Sequence, residues 1–278
     1  MAMEKGTVRF LEEQACRRRI DIVNLIYKAK TGHIGGSLSS IDVLTALYYH
    51  VMDTEKIKAK DPERDRFILS KGHSVEGFYS ILADKGFFPK EELETYAQFH
   101  TRLACHPTSK IPGVEVSTGS LGHGLPVAVG MAIALKRDNS NAHIYVVMGD
   151  GEQGEGSVWE AAMAAPTYKL DNLTAVVDRN HLQISGNTED VMCLEPLAER
   201  YRSFGWNVVC MNGNDFNEII PALLTRVPGK PTAIISDTVK GKGVSFMENQ
   251  AAWHHKVPTE EQYRQAIREL EQKLDEIS

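Results

Sequence analysis

Two side chains 30 residues apart carry the most specific chemistry in this chain. Asp150 offers a carboxylate and Asn180 an amide oxygen. Each stands just past an apolar, β-branched run: His143 to Met148 before Gly149-Asp150-Gly151, and Leu173 to Val177 before Asp178-Arg179-Asn180. The main-chain carbonyl of Leu182, on the turn beyond Asn180, offers a third oxygen. Mg²⁺ and Ca²⁺ take all-oxygen ligand sets, and Mg²⁺ usually leaves positions for phosphate oxygens. Gly149 and Gly151 leave room for a diphosphate to approach the backbone, and the Gly151 N–H can donate to it. A helix start near Glu155 to Ser157 adds donors and a positive dipole end. A lone Gly-Asp-Gly is most often a plain turn, and a strand-end Asn a cap. Their pairing in one strand–helix–strand frame is what singles them out.

That frame has to bring the two ends together. The runs flank a helical pattern from about Ser157 to Tyr168, so the strands should be parallel neighbours joined by a right-handed crossover. Asp150 and Asn180 then share the carboxyl edge of a sheet, where open α/β folds bind ligands. Arg66–Leu69, Trp206–Met211 and Thr232–Val239 read as further strands, giving five in parallel. Four of the five deliver a marked sequence at that edge: Ser70-Lys71-Gly72-His73, Gly-Asp-Gly, Arg-Asn, and Lys240-Gly241-Lys242-Gly243.

Helices are expected over Val8–Lys30, Ile41–Met52, Ser74–Asp84, Lys90–Phe99, Leu125–Lys136, Leu194–Phe204 and Glu260–Ile277, with another starting at Phe216 and capped by Asp215. The first should turn Arg17, Arg18 and Arg19 mostly to the outside. The second should follow a glycine-rich loop, Lys30 to Ser37, with Ser39 or Ser40 as its cap. Pro166 should kink or shorten the crossover helix. The class is α/β: a doubly wound, mostly parallel sheet with helices on both faces, in one domain.

Composition narrows the ligand. A net charge of −6 argues against nucleic acid and against an anionic membrane surface, but leaves a phosphorylated small molecule open. The four cysteines, Cys16, Cys105, Cys193 and Cys210, show no metal-ligand spacing and no Cys-x-x-Cys, which fits reduced thiols and a cytoplasmic protein. The N-terminal MAMEKGTVRF lacks an apolar signal region, and no run is long enough to cross a bilayer.

With Asn180 behind it, Gly149-Asp150-Gly151 resembles the signature of thiamine-diphosphate enzymes. Three more segments resemble the transketolase branch: Gly32-His33-Ile34-Gly35-Gly36; Arg66-Phe67-Ile68-Leu69-Ser70-Lys71-Gly72-His73; and Gly119-Ser120-Leu121-Gly122-His123-Gly124. Lys71 departs from the pattern by adding a charge. Ser120 and His123 stand where full-length transketolases usually have proline and glutamine. Trp253-His254-His255 resembles a late histidine segment of the same family, with His254 the favoured match and His255 second.

The resemblance implies thiamine diphosphate with Mg²⁺ (or Ca²⁺ or Mn²⁺) as cofactors. It implies Asp150, Asn180 and Leu182 as metal ligands. Cofactor contacts would come from His33, His73, Gly119, Leu121, Gly151, Glu155, Asn180, Ile184 and His254. His33, His106 and His254 would be catalytic, moving hydroxyl protons during C–C cleavage. The implied reaction moves a two-carbon ketol unit from a ketose phosphate to an aldose phosphate, as in the pentose phosphate pathway.

The resemblance covers only the diphosphate-binding half of a transketolase. It therefore implies that residues 1–278 form one diphosphate domain. The pyrimidine-binding and C-terminal domains would lie on a separate chain, assembled as a heterotetramer. The glutamate that activates the cofactor belongs to that missing half. Two other readings compete: one component of another thiamine-diphosphate enzyme (the alpha subunit of a 2-oxoacid dehydrogenase, or a deoxyxylulose phosphate synthase-like protein), and a non-catalytic binding subunit.

Overall fold

The computed structural model describes residues 5–277; the first four, part of the stretch read for a leader, lie outside it. Five strands form one sheet: β1 (Arg66–Leu69), β2 (Ile144–Gly149), β3 (Leu173–Arg179), β4 (Asn207–Asn212) and β5 (Thr232–Asp237). Their order is β1-β2-β3-β5-β4 and every pairing is parallel. Successive side chains of a strand point to opposite faces, so each strand feeds two cores. Phe67, Leu69, Tyr145, Val147 and Val176 pack with α1 (Lys5–Ala29), α2 (Ile34–Ala46) and α3 (Val75–Asp84). Ile68, Val146, Met148, Ala175 and Val177 pack with α4 (Gly124–Arg137), α5 (Gly156–Thr167) and α6 (Leu197–Phe204). The first core also takes in α7 (Phe216–Leu224) and α8 (Glu260–Ile277). This is the doubly wound parallel sheet expected. Among the described residues no helix is long and apolar enough to cross a membrane.

Several local expectations are corrected. Arg18 and Arg19 are buried, not outward. Arg18 pairs with Asp21 at 3.2 Å and Asp84 at 2.8 Å, and Arg19 with Asp42 at 2.7 Å. Only Arg17 behaves as a surface group, paired with Glu13 on its own helix. Neither Ser39 nor Ser40 caps α2, because the helix already begins at Ile34. The Gly35-Gly36 pair belongs to its first turn, where a Cβ on Gly35 would stand 2.7 Å from the Trp253 carbonyl oxygen. The glycines thus serve close packing, and the two serine hydroxyls turn inward, Ser40 donating to the Gly36 carbonyl and Ser39 to Asp178. Lys90–Phe99 shortens to a 3-10 turn, Lys90–Thr95. Asp215 does cap α7, accepting from the Asn217 N–H at 2.8 Å.

Pro166 stands one residue before the end of α5. A proline has no N–H to give the carbonyl four residues back. That carbonyl, on Ala162, accepts instead from the Trp206 indole N–H at 2.7 Å.

Candidate functional site

The four marked strand ends belong to β1, β2, β3 and β5, which are contiguous in the sheet; β4 lies outside them at the edge. They converge on a cleft of about 340 Å³. Asp150, Asn180 and Leu182 line it from the β2 and β3 ends. His33 enters from the start of α2, His73 from beyond β1, and His254 from the segment before α8. Gly119, Leu121, Gly151 and Ile184 complete the expected lining. Two expected residues lie outside it. Glu155 is exposed at the cap of α5 with no side-chain cap bond. His106 borders the cleft from behind Gly119, whose added Cβ would come 2.7 Å from its ring; φ of +140° at Gly119 permits that approach.

The imidazoles crowd together. His33 lies 5.1 Å from His73, 6.2 Å from His106, 5.7 Å from His254 and 4.6 Å from His255, ring centre to ring centre. Burial pushes His33 down to about 4, helped by His255, His106 and Lys240. Burial, then the Lys71 charge, pushes His73 to about 2; burial, then Lys240, pushes His254 to about 3. At neutral pH these rings are uncharged bases. The His33 Nδ1 is buried without a partner. A buried polar atom left unpaired is costly, so its natural partner is a bound molecule.

Two ammonium groups sit at the floor, and their side chains are almost fully buried. Lys71 Nζ pairs with Asp178 and donates to the Gly36 carbonyl at 3.0 Å. Burial alone would raise Asp178, but Lys71 and the Thr238 and Ser39 hydroxyls hold its carboxyl below the usual range. Lys240 Nζ donates to the Leu182 carbonyl at 2.9 Å and lies 3.0 Å from His254 Nδ1. Burial, then the Lys71 charge, lowers Lys240 to about 8.

Asp150 is held in place from several sides. Its carboxylate accepts from Gly151 N–H at 2.8 Å, His181 N–H at 2.6 Å and the Arg179 guanidinium at 3.2 Å. Burial, then the nearby Asp178 charge, raises its pKa. The Gly151 N–H is thus engaged by Asp150 and is not free for a phosphate. Asn180 turns its amide N–H to Asp178 and its oxygen toward the Leu182 N–H, at 3.1 and 3.2 Å.

Among the described residues no three of His, Cys, Asp and Glu converge as a metal site. The expected set needs only one of those types, since an amide and a main-chain oxygen supply the rest. A carboxylate, an amide and a carbonyl on one cleft fit a hard divalent cation. The Leu182 carbonyl already accepts from Lys240 Nζ, so a metal ion there would share or take over that oxygen. Two buried lysines on the same cleft fit an anionic diphosphate as well.

Sequence reading missed Glu152. It is buried and takes Ser70 Oγ, Gly122 N–H at 2.9 Å and Gly149 N–H at 3.0 Å. One carboxylate so ties the β1 end, the glycine-rich loop and the β2 end together. In the sequence it is an ordinary acid in a helix-start position, and only its tertiary partners reveal it. Gln183 also lines the cleft; nothing in its spacing marked it.

A three-layer α/β sheet with a polar cleft at the carboxyl ends of its central strands defines a cofactor-binding class of fold. Comparison with known proteins gives the family. Residues 12–274 match the model described as transketolase, thiamine diphosphate binding domain. The chain is 52% identical over 272 residues, 97% of each chain, to a Phocaeicola vulgatus protein named as one of the subunits of apulose-4-phosphate transketolase. It is 44% identical over 264 residues to a 6-deoxy-6-sulfo-D-fructose transketolase subunit of a Clostridium species, covering 94% of this chain and 96% of that one. Among solved structures, a Campylobacter jejuni transketolase superposes with a TM-score of 0.86 at 32% identity, over 94% of this chain and 42% of its own. This chain therefore belongs to the transketolase family, in its thiamine-diphosphate-binding part. It spans less than half the length of the solved transketolase it matches.

Proposed function

We propose that this chain is the cofactor-diphosphate subunit of a two-chain transketolase that moves a two-carbon ketol unit from a ketose phosphate to an aldose. The observation that carries this reading is the convergence of the Asp150–Asn180–Leu182 oxygens, two buried lysines and neutral histidines on one cleft. Asp150, Asn180 and Leu182 would hold Mg²⁺. Lys71, Lys240 and His73 would receive the diphosphate. Thiamine diphosphate, when bound, supplies the carbon nucleophile and the electron sink that C–C cleavage needs. The chain's own work is proton handling: His33 enters as a neutral base, able to accept a hydroxyl proton as the bond breaks and to return it afterwards, while His254, whose Nδ1 faces the Lys240 ammonium, presents its Nε2–H as a donor to a substrate oxygen. Lys240, beside His254 Nδ1, keeps that ring oriented.

The partner would carry the pyrimidine-binding and C-terminal domains. Support comes from the relatives that this chain matches along nearly their whole length, which are named as subunits. The same relatives favour a specialised donor over the common pentose phosphates, and apulose 4-phosphate is the first to try. The test is ketol transfer by this chain alone and mixed with its C-terminal partner. Thiamine diphosphate, Mg²⁺ and a ribose 5-phosphate acceptor are present throughout. The donors are apulose 4-phosphate, 6-deoxy-6-sulfo-D-fructose and xylulose 5-phosphate. Activity in the mixture alone is expected. Activity of the lone chain would refute the two-chain reading, and decarboxylation of a 2-oxo acid by the mixture would move it to another branch of thiamine enzymes.

A further inference from the structure

Glu76 is fully buried in the first turn of α3, and nothing in the proposed chemistry uses it. Its Oε1 accepts from the His33 main-chain N–H at 3.0 Å and from the Tyr96 hydroxyl at 2.7 Å. Its Oε2 accepts from Ser37 Oγ at 2.6 Å. All three partners are uncharged donors. A buried carboxylate carries a large desolvation penalty, and three donors on its two oxygens are what make it tolerable here. The neighbouring backbone is shaped to admit it: a Cβ on Gly32 would stand 2.5 Å from Oε1, and Gly32 holds φ at +143°.

The partners of Glu76 lead to two of the clustered imidazoles. His33 is held directly, by its own N–H, while its Nδ1 stays without a protein partner. Tyr96 begins the loop that runs to His106, and the far end of that loop is pinned by the Tyr79 hydroxyl on the His106 carbonyl at 3.1 Å. The two rings lie edge to face, 6.2 Å apart. Glu76 makes its hydrogen bonds to none of Asp150, Asn180 and Lys240.

We propose that Glu76 is a positioning residue that fixes His33 against His106, and through them the recognition of the donor sugar. The inference rests on the transketolase reading above. A glutamine here can keep all three contacts. Its oxygen retains His33 and Tyr96, and its amide donates to Ser37 Oγ, whose hydroxyl reverses. A leucine keeps none and leaves three donors unpaired.

The test is E76Q and E76L in the reconstituted two-chain enzyme. For E76L, donor kcat/KM should fall by about 10²-fold, the scale of a small misplacement of reacting groups. The thiamine diphosphate Kd, measured calorimetrically with Mg²⁺, should rise far less, by no more than about fivefold, since His33 is only one of several expected cofactor contacts, and E76Q should stay within about threefold of wild type in both. Amide hydrogen exchange at His33 should speed up in E76L and not in E76Q, read on the cofactor-free chain. The proposal is overturned if E76L keeps the wild-type donor kcat/KM, if it loses cofactor affinity in step with donor recognition, or if E76Q is as damaged as E76L. A pair silent on every donor would count against the transketolase reading alone. The exchange measurement would then still decide the positioning, with unchanged His33 exchange in E76L overturning it.

Discussion

Three histidines of the cleft titrate far below their usual range, near 4 for His33, 2 for His73 and 3 for His254. In the unfolded chain the same groups take up protons near 6.5. Between those values the unfolded state binds more protons than the folded one, so stability falls as the pH drops from 7 toward 4. Calorimetric midpoints should decline between pH 7 and 5, and H73N should flatten that decline; an unchanged slope would mean the ring is not held neutral. At Asp150, D150N should weaken Mg²⁺-dependent thiamine diphosphate binding by at least ~10-fold, the loss typical of removing even an outer-sphere partner of a metal ligand. Titration calorimetry measures it directly. The sequence made these residues visible because glycines and strand ends flank them. It could not separate His254 from His255, since adjacent residues have no periodicity to set them apart. In the structure both rings approach His33, but only His254 lines the cleft. Glu76 and Glu152 were illegible for another reason: a buried carboxylate is recognisable only by donors that arrive from distant segments.

The elements themselves followed the sequence where one period dominated. All five strands and the last helix stand close to where hydrophobic patterning put them. Misreadings came where tertiary contacts override local preference. Arg18 and Arg19 look like a solvated face until Asp84 and Asp42 arrive from α3 and α2. The glycines of α2 look like a loop until the Trp253 carbonyl comes up against Gly35 and Ser74 against Gly36. Pro166 is a case in which the local penalty has a specific answer in Trp206. W206F should therefore destabilise the chain by about 1–3 kcal/mol, the cost of leaving a buried carbonyl unpaired. In a P166A background, where residue 166 regains an N–H for Ala162, the same substitution should cost less. Urea unfolding of the four proteins in that cycle checks it; equal costs in both backgrounds would show that the indole bond does not compensate for the proline.

For the molecule as a whole, the central observation is that the marked strand ends are adjacent and face one side. That was legible because a parallel sheet puts every strand's carboxyl end on the same edge. The strand order was not, since no local signal says that β5 inserts between β3 and β4. Because metal and diphosphate would meet in one cleft, their effects on global stability should be linked. Mg²⁺ with excess thiamine diphosphate should raise the thermal midpoint, by the equivalent of about 2.7 kcal/mol at a hundredfold excess over Kd. EDTA should remove most of that gain, and Mn²⁺ or Ca²⁺ should restore it. A gain unaffected by EDTA would assign the binding to the lysines alone.

The Glu152 carboxylate also constrains how this chain can be altered. Ser70, Gly122 and Gly149 belong to three separate segments, yet they share one acceptor group, and Ser70 further receives the Gly124 N–H. None of these segments is an independent module. A loop taken from a relative with a different residue at any of these positions would arrive without its counterpart. Chimeras that exchange Gly119–Gly124 alone should express poorly, whereas exchanging it with the segments around Ser70 and Glu152 should restore the fold. The cleft is in this sense inherited as a block.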